Sequence, residues 1–110
     1  MTPTEFEEFI KANMKHNPVE AKIVRKIIRA FKAAGNPIVE VFDGEEHNKV
    51  DGSEWSIFEW VFNLDEAYLI PQSGGWVRIV LGNEWDALVD YTLSHEDTLK
   101  PVNDWIEKHY

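Results

Sequence analysis

The chain has 110 residues, five tryptophans, no cysteine, 44% hydrophobic and 28% charged residues, the profile of one ordered α+β domain over residues 1–110. Without cysteine, a disulfide framework, a zinc knuckle, an iron–sulfur site and a thiol nucleophile are excluded. The net charge of −9 is divided unevenly: residues 1–37 carry seven Lys/Arg against four Asp/Glu, and residues 38–110 carry four against sixteen.

Thr2-Pro3-Thr4-Glu5 has the form of a helix start, with a hydroxyl N-cap, proline at the first helical position and glutamate closing a capping box. Phe6, Phe9, Ile10 and Met14 follow at spacings of three and four, which predicts a helix to about Lys15. Asn17-Pro18-Val19-Glu20 repeats the start signal with asparagine as cap. A second helix is predicted from there to about Ala34, stopped by Gly35 with Pro37 beyond. Its apolar side holds Val19, Ile23, Val24, Ile27, Ile28, Ala30, Phe31 and Ala34; Lys22, Arg25, Lys26, Arg29 and Lys32 form a purely basic stripe opposite.

After Pro37 the period changes to two and β-branched and aromatic residues take over. Strands are predicted at 38–42, at 47–50 as a short return, and at 55–62, where both faces are largely apolar. The last would be a central strand, covered by the N-terminal helices on one side and by the C-terminal segment or a partner on the other. Strands at 67–70 and 76–81 flank the glycine-containing hairpin loop Pro71-Gln72-Ser73-Gly74-Gly75. Residues 85–91 alternate as a strand would, with Trp85, Ala87, Val89 and Tyr91 on one face, although a helical turn also fits. Ser94 and Asp97 open a final helix carrying Leu99, Val102 and Ile106, which Pro101 is expected to kink or restart.

The string Gly74-Gly75-Trp76-Val77-Arg78-Ile79-Val80-Leu81-Gly82-Asn83-Glu84-Trp85-Asp86, continuing through Asp90-Tyr91-Thr92 to Glu96-Asp97-Thr98-Leu99-Lys100-Pro101-Val102-Asn103, resembles small uncharacterised actinobacteriophage proteins of the mycobacteriophage type. The resemblance covers the C-terminal third to half and brings no catalytic residues. It implies a phage product in a bacterial host's cytoplasm that acts by binding a host or phage protein. A cytoplasmic location also agrees with the opening residues, which lack the order of a secretion signal, and with the absence of any apolar run near the ~18 residues that span a bilayer.

Motifs for chemistry are sparse. Asp43, Glu45, Glu46, His47, Asn48 and Asp51 offer cation ligands, but their spacing matches no EF-hand loop, and a solvated acidic loop is expected. His16, His47, His95 and His109 stand in polar stretches or near helix ends without a nucleophile at motif spacing. Gln72-Ser73-Gly74-Gly75 lacks the lysine and following helix of a phosphate-binding loop. No catalytic residue, metal site or cofactor is assigned.

The expected fold is α+β: two N-terminal helices, an antiparallel sheet of four or five strands, and a C-terminal helix packed on the sheet. The expected function is a non-catalytic protein–protein interaction module, a phage-encoded modulator of a host protein. An aromatic centre of Trp60, Trp85 and Trp105 with Asp86 and Asp90 as acidic rim would form its contact surface. One alternative is nucleic-acid binding through Lys22, Arg25, Lys26, Arg29 and Lys32, which the acidic remainder opposes. Another is a small enzyme or metal-dependent protein; a homodimer that buries the second apolar face is a further arrangement of the same chain.

Overall fold

The computed structural model describes residues 2–14 and 17–110. Its elements run α1 (Pro3–Met14), α2 (Pro18–Ala33), β1 (Ile38–Phe42), β2 (His47–Lys49), α3 (Glu54–Val61), β3 (Glu66–Pro71), β4 (Val77–Val80), β5 (Leu88–Tyr91) and α4 (Glu96–His109), with 3-10 turns at Glu84–Asp86 and Leu93–His95. The architecture is α+β with a five-stranded antiparallel sheet, as expected, in the order β2-β1-β3-β4-β5. The expected helix end at Lys15, and His16, lie outside the described residues, as do the side chains of Phe6, Ile10 and Met14.

At the start of α1 the Glu5 amide donates to Thr2 Oγ1 at 3.1 Å, the N-cap bond expected of a capping box, while Glu5 Oε1 accepts the Thr2 hydroxyl at 3.2 Å rather than the Thr2 amide. Asn17 precedes α2 as expected, yet its side chain makes no cap bond. The proline beside it removes one amide that would need capping and pre-sets the helical φ. The apolar stripe of α2 is buried from Ala21 through Ile23, Val24, Ile27 and Ile28 to Phe31, and Gly35 takes φ +70° just past its end.

The segment 55–62 is a correction. It forms not a central strand but α3, with Ile57, Phe58 and Val61 buried. A run apolar at nearly every position satisfies a helical period as well as an alternating one, so the ends decide. Ser53 Oγ accepts the Ser56 amide at 3.2 Å, and the Asp51 carboxylate accepts the Ser53 amide at 2.9 Å, so side chains start a helix here. The pair Phe9–Trp55, edge to face at 4.5 Å, joins α3 to α1.

Smaller corrections fall near the C-terminus. Residues 85–91 divide into a 3-10 turn and β5, and a bulge opposite Arg78/Ile79 breaks the expected alternation: Tyr91 pairs with Val77 and Leu88 with Ile79, leaving Val89 exposed. Ser94 does not cap α4, which grows directly out of the turn Leu93–His95. Pro101 neither ends nor restarts α4, a single helix from Glu96 to His109. The carbonyl that loses its partner there belongs to Asp97, and both residues are exposed, so no buried group is left unsatisfied.

All helices contribute to one side of the sheet. Ile23, Val24, Ile27, Ile28 and Phe31 of α2, Ile57, Phe58 and Val61 of α3, and Leu99 and Val102 of α4 form one buried core with Val41, Leu69, Val77 and Ile79 from the strands. Alternate strand residues point the other way. Phe42, Tyr68, Ile70, Trp76 and Val80 belong neither to that core nor to the half-buried shell around it.

Candidate functional site

An antiparallel sheet with one face in the core presents its alternate residues to solvent, and these are ordinarily polar. Here the outer face bears an aromatic strip running across the strands. Phe42 of β1 stands beside Tyr68 of β3 in the pairing register, with ring centroids 5.8 Å apart and planes at 60°. Trp76, just before β4, meets Tyr68 at 5.6 Å and 81°, and His47 of β2 lies 4.6 Å from Phe42 on the other side. These side chains, with Ile70, Glu40 and Gly75, line an open groove of ≈ 430 Å³ with mainly apolar walls.

Carboxylates surround the strip. Glu40 Oε2 accepts a hydrogen bond from His47 Nδ1 at 3.0 Å, so Nδ1 carries a proton in this arrangement. Glu66 forms a two-pronged pair with Arg78, Nε–Oε1 at 3.0 Å and Nη2–Oε2 at 3.1 Å. Hydrogen bonding from Arg78 holds the Glu66 carboxyl below its usual range and raises the guanidinium correspondingly. Asp90 lies opposite Arg78 in the β4–β5 register, on the same face. The β1–β2 turn adds Asp43, Glu45 and Glu46. Asp43 is held below the ordinary carboxylate range chiefly by the Glu46 and Glu45 amides and the Asn48 side chain, which it also accepts.

Trp76 is fixed from behind. Its amide donates to Thr92 Oγ1 at 2.9 Å, and its carbonyl accepts the Thr92 amide at 3.0 Å. His95, buried to 3% exposure, donates from Nε2 to the Gly74 carbonyl at 2.8 Å and sits edge-on to Phe31 of the core at 5.2 Å. The hairpin loop that forms one wall of the groove is thereby tied to the helical layer.

The aromatic residues singled out from sequence are distributed differently. Trp85 and Trp105 do meet, with centroids 5.5 Å apart, and His109 lies beside them, tilted at 5.0 Å from Trp105 and stacked on Trp85 at 6.3 Å. They pack against the core on the helical side, with the Lys26 ammonium 4.6 Å above the Trp105 ring. Asp86 accepts the Tyr110 hydroxyl at 3.4 Å beside them. Trp60 stands apart on α3, 38% exposed, and Asp90 belongs to the outer sheet face. The five residues therefore do not make one surface. Phe42, Tyr68 and Trp76, which do, were each legible as strand or strand-flanking residues; their shared face depends on register.

The basic stripe of α2 is largely engaged within the molecule. Arg25 Nε donates to Glu54 Oε2 at 3.1 Å and Arg29 Nε to Glu54 Oε1 at 2.6 Å, so one carboxylate of α3 holds both guanidinium groups, and Lys26 covers Trp105. Lys22 and Lys32 remain exposed. Phosphate contacts by the two arginines would compete with a pair whose carboxylate is only 19% exposed. Among the described residues no group of three or more His, Asp or Glu side chains gathers as a metal site, and no helix is long and apolar enough to cross a membrane. Comparisons with protein-family models, with curated proteins and with solved structures find no match.

Proposed function

We propose that this domain is a non-catalytic protein–protein interaction module that docks a basic partner on the outer face of its sheet. The observation that carries this is the strip Phe42, Tyr68, Ile70 and Trp76, a contiguous apolar surface left half-exposed although the chain has a complete core elsewhere. Isolated apolar residues on a surface are ordinary, whereas contiguous aromatic ones with a charged border characterise interfaces. Tyrosine and tryptophan anchor such contacts well because they bring large area with few torsions to freeze.

Charge selects the partner. Glu40, Glu66 and Asp90 border the strip, and the chain as a whole carries −9, so approach of a basic surface is accelerated and an acidic one repelled. The resemblance to phage proteins makes a host protein the partner class, with the domain acting as a modulator inside the bacterial cytoplasm.

The test is a peptide-display selection against the folded domain, with winners measured on variants. Enriched peptides should carry Arg or Lys next to apolar residues, and Tyr68→Ala should weaken them by roughly tenfold or more, the range of an interface anchor. Trp60→Ala should leave them unchanged. Peptides indifferent to Tyr68→Ala, in a variant shown to be folded, would contradict the assignment.

A further inference from the structure

We infer that the groove walled by Phe42, Tyr68 and Trp76 is the seat of a single cationic side chain, an arginine or lysine of the docked partner, with Glu40 as its counter-ion. This rests on the interaction-module reading and specifies how that module takes hold. Three rings inclined at 60° and 81° about Tyr68 surround one concavity of ≈ 430 Å³ with aromatic walls. Ring faces attract cations, most strongly for tryptophan, and the attraction grows as water is excluded.

The chemistry of the lining separates a cation from a neutral apolar anchor. Glu40 belongs to the groove, and His47 Nδ1 hydrogen-bonds one of its oxygens, Oε2, leaving the other for a docked donor. A leucine or phenylalanine pressed into the groove would strip water from that carboxylate and return nothing, whereas a guanidinium supplies both charge and donors. Of the face's own cations, Arg78 is held by both oxygens of Glu66, and Lys49, directly opposite Glu40 in the β1–β2 register, makes no ion pair with it and points its exposed ammonium to solvent.

The test compares N-acetyl-arginine methylamide with N-acetyl-citrulline methylamide, which has the same shape without the charge, in NMR titrations of the full chain. The arginine compound is expected to shift the Trp76 indole and Tyr68 ring signals and to bind about fivefold or more tightly than the citrulline compound, a modest cation–π and ion-pair advantage. Glu40→Gln, a surface change that leaves the core untouched, should remove most of that advantage. Equal binding of the two compounds, an advantage undiminished in Glu40→Gln, or no shift of these signals up to the solubility limit would each overturn the cation seat. If selected peptides still perturb β1, β3 and β4 under any of those outcomes, the seat falls and the module stands; if they do not, the module falls as well.

Discussion

Gly75 is the residue at which the helical layer and the outer face come closest. A Cβ built there would stand 2.7 Å from His95 Nε2 and 2.9 Å from Thr92 Oγ1, the two groups that hold Gly74 and Trp76 in place. Its φ of +69° is also a conformation that side-chain-bearing residues adopt at a cost. Gly35 offers an internal control, since its φ is +70° and nothing lies within 4 Å of its built Cβ. Gly35→Ala should therefore lose only the backbone contribution, about 1–2 kcal/mol. Gly75→Ala should lose about 2–4 kcal/mol, because a steric contribution from overpacking is added. Urea denaturation of both variants measures the difference; equal losses would mean that Thr92 and His95 do not press on the loop. Weaker peptide binding in Gly75→Ala at a temperature where it remains folded would further show that this clamp orients Trp76.

At the scale of elements, α3 is the instructive case. Its start depends on side chains that the preceding loop supplies, and Ser53→Ala should cost about 1 kcal/mol, the usual loss of a capping hydroxyl. Asp51 supports the same turn: hydrogen bonds from the Ser53 side chain, the Ser53 amide and the Ser56 side chain lower its pKa from 3.8 to about 2. A carboxyl lowered by folding stabilises the native state fully above its unfolded value, and that contribution is lost as pH falls through the folded one. The stability difference between the wild type and Asp51→Asn should thus be largest above about pH 4 and shrink towards about pH 2. A difference constant across that window would contradict the hydrogen bonding described. Because the group is solvent-exposed, the effect will be small beside the cap itself.

The same segment shows what could and could not be read from the chain beforehand. Helices α1 and α2 were legible because cap, proline and apolar period all agree at Thr2-Pro3 and Asn17-Pro18. At 55–62 the aromatic and β-branched content argued for a strand; the side-chain bonds of Asp51 and Ser53 that start a helix there became apparent only in the structure. Strands β1, β3 and β4 were recognisable, but the outer-face strip was not. Tyr68 joins Phe42 only through the β1–β3 register, and Trp76 joins them only because Thr92 holds the residue before β4 in line. Tryptophan content drew attention to Trp60, Trp85 and Trp105, of which two serve the helical side of the core.

Over the whole molecule, the two sides of the sheet have different tasks. One side is closed by α2, α3 and α4 and carries the stability; the other bears aromatic side chains that contribute little to the core and are bordered by Glu40, Glu66 and Asp90. The basic stripe of α2, which suggested an opposite pole in the sequence, is drawn inward by Glu54 and Trp105. Binding should accordingly be salt-sensitive in the manner of an acidic face meeting a basic partner, with replacement of Arg25 by glutamine having no effect on affinity in the folded protein. The most direct measurement is amide chemical-shift mapping, by ¹H–¹⁵N spectra, of the domain with a selected basic peptide. Perturbations should concentrate at Glu40–Phe42, His47, Glu66–Ile70 and Trp76–Arg78. Perturbations confined to α2, α4 and the Trp85–Trp105 pair would contradict the outer face as the contact surface.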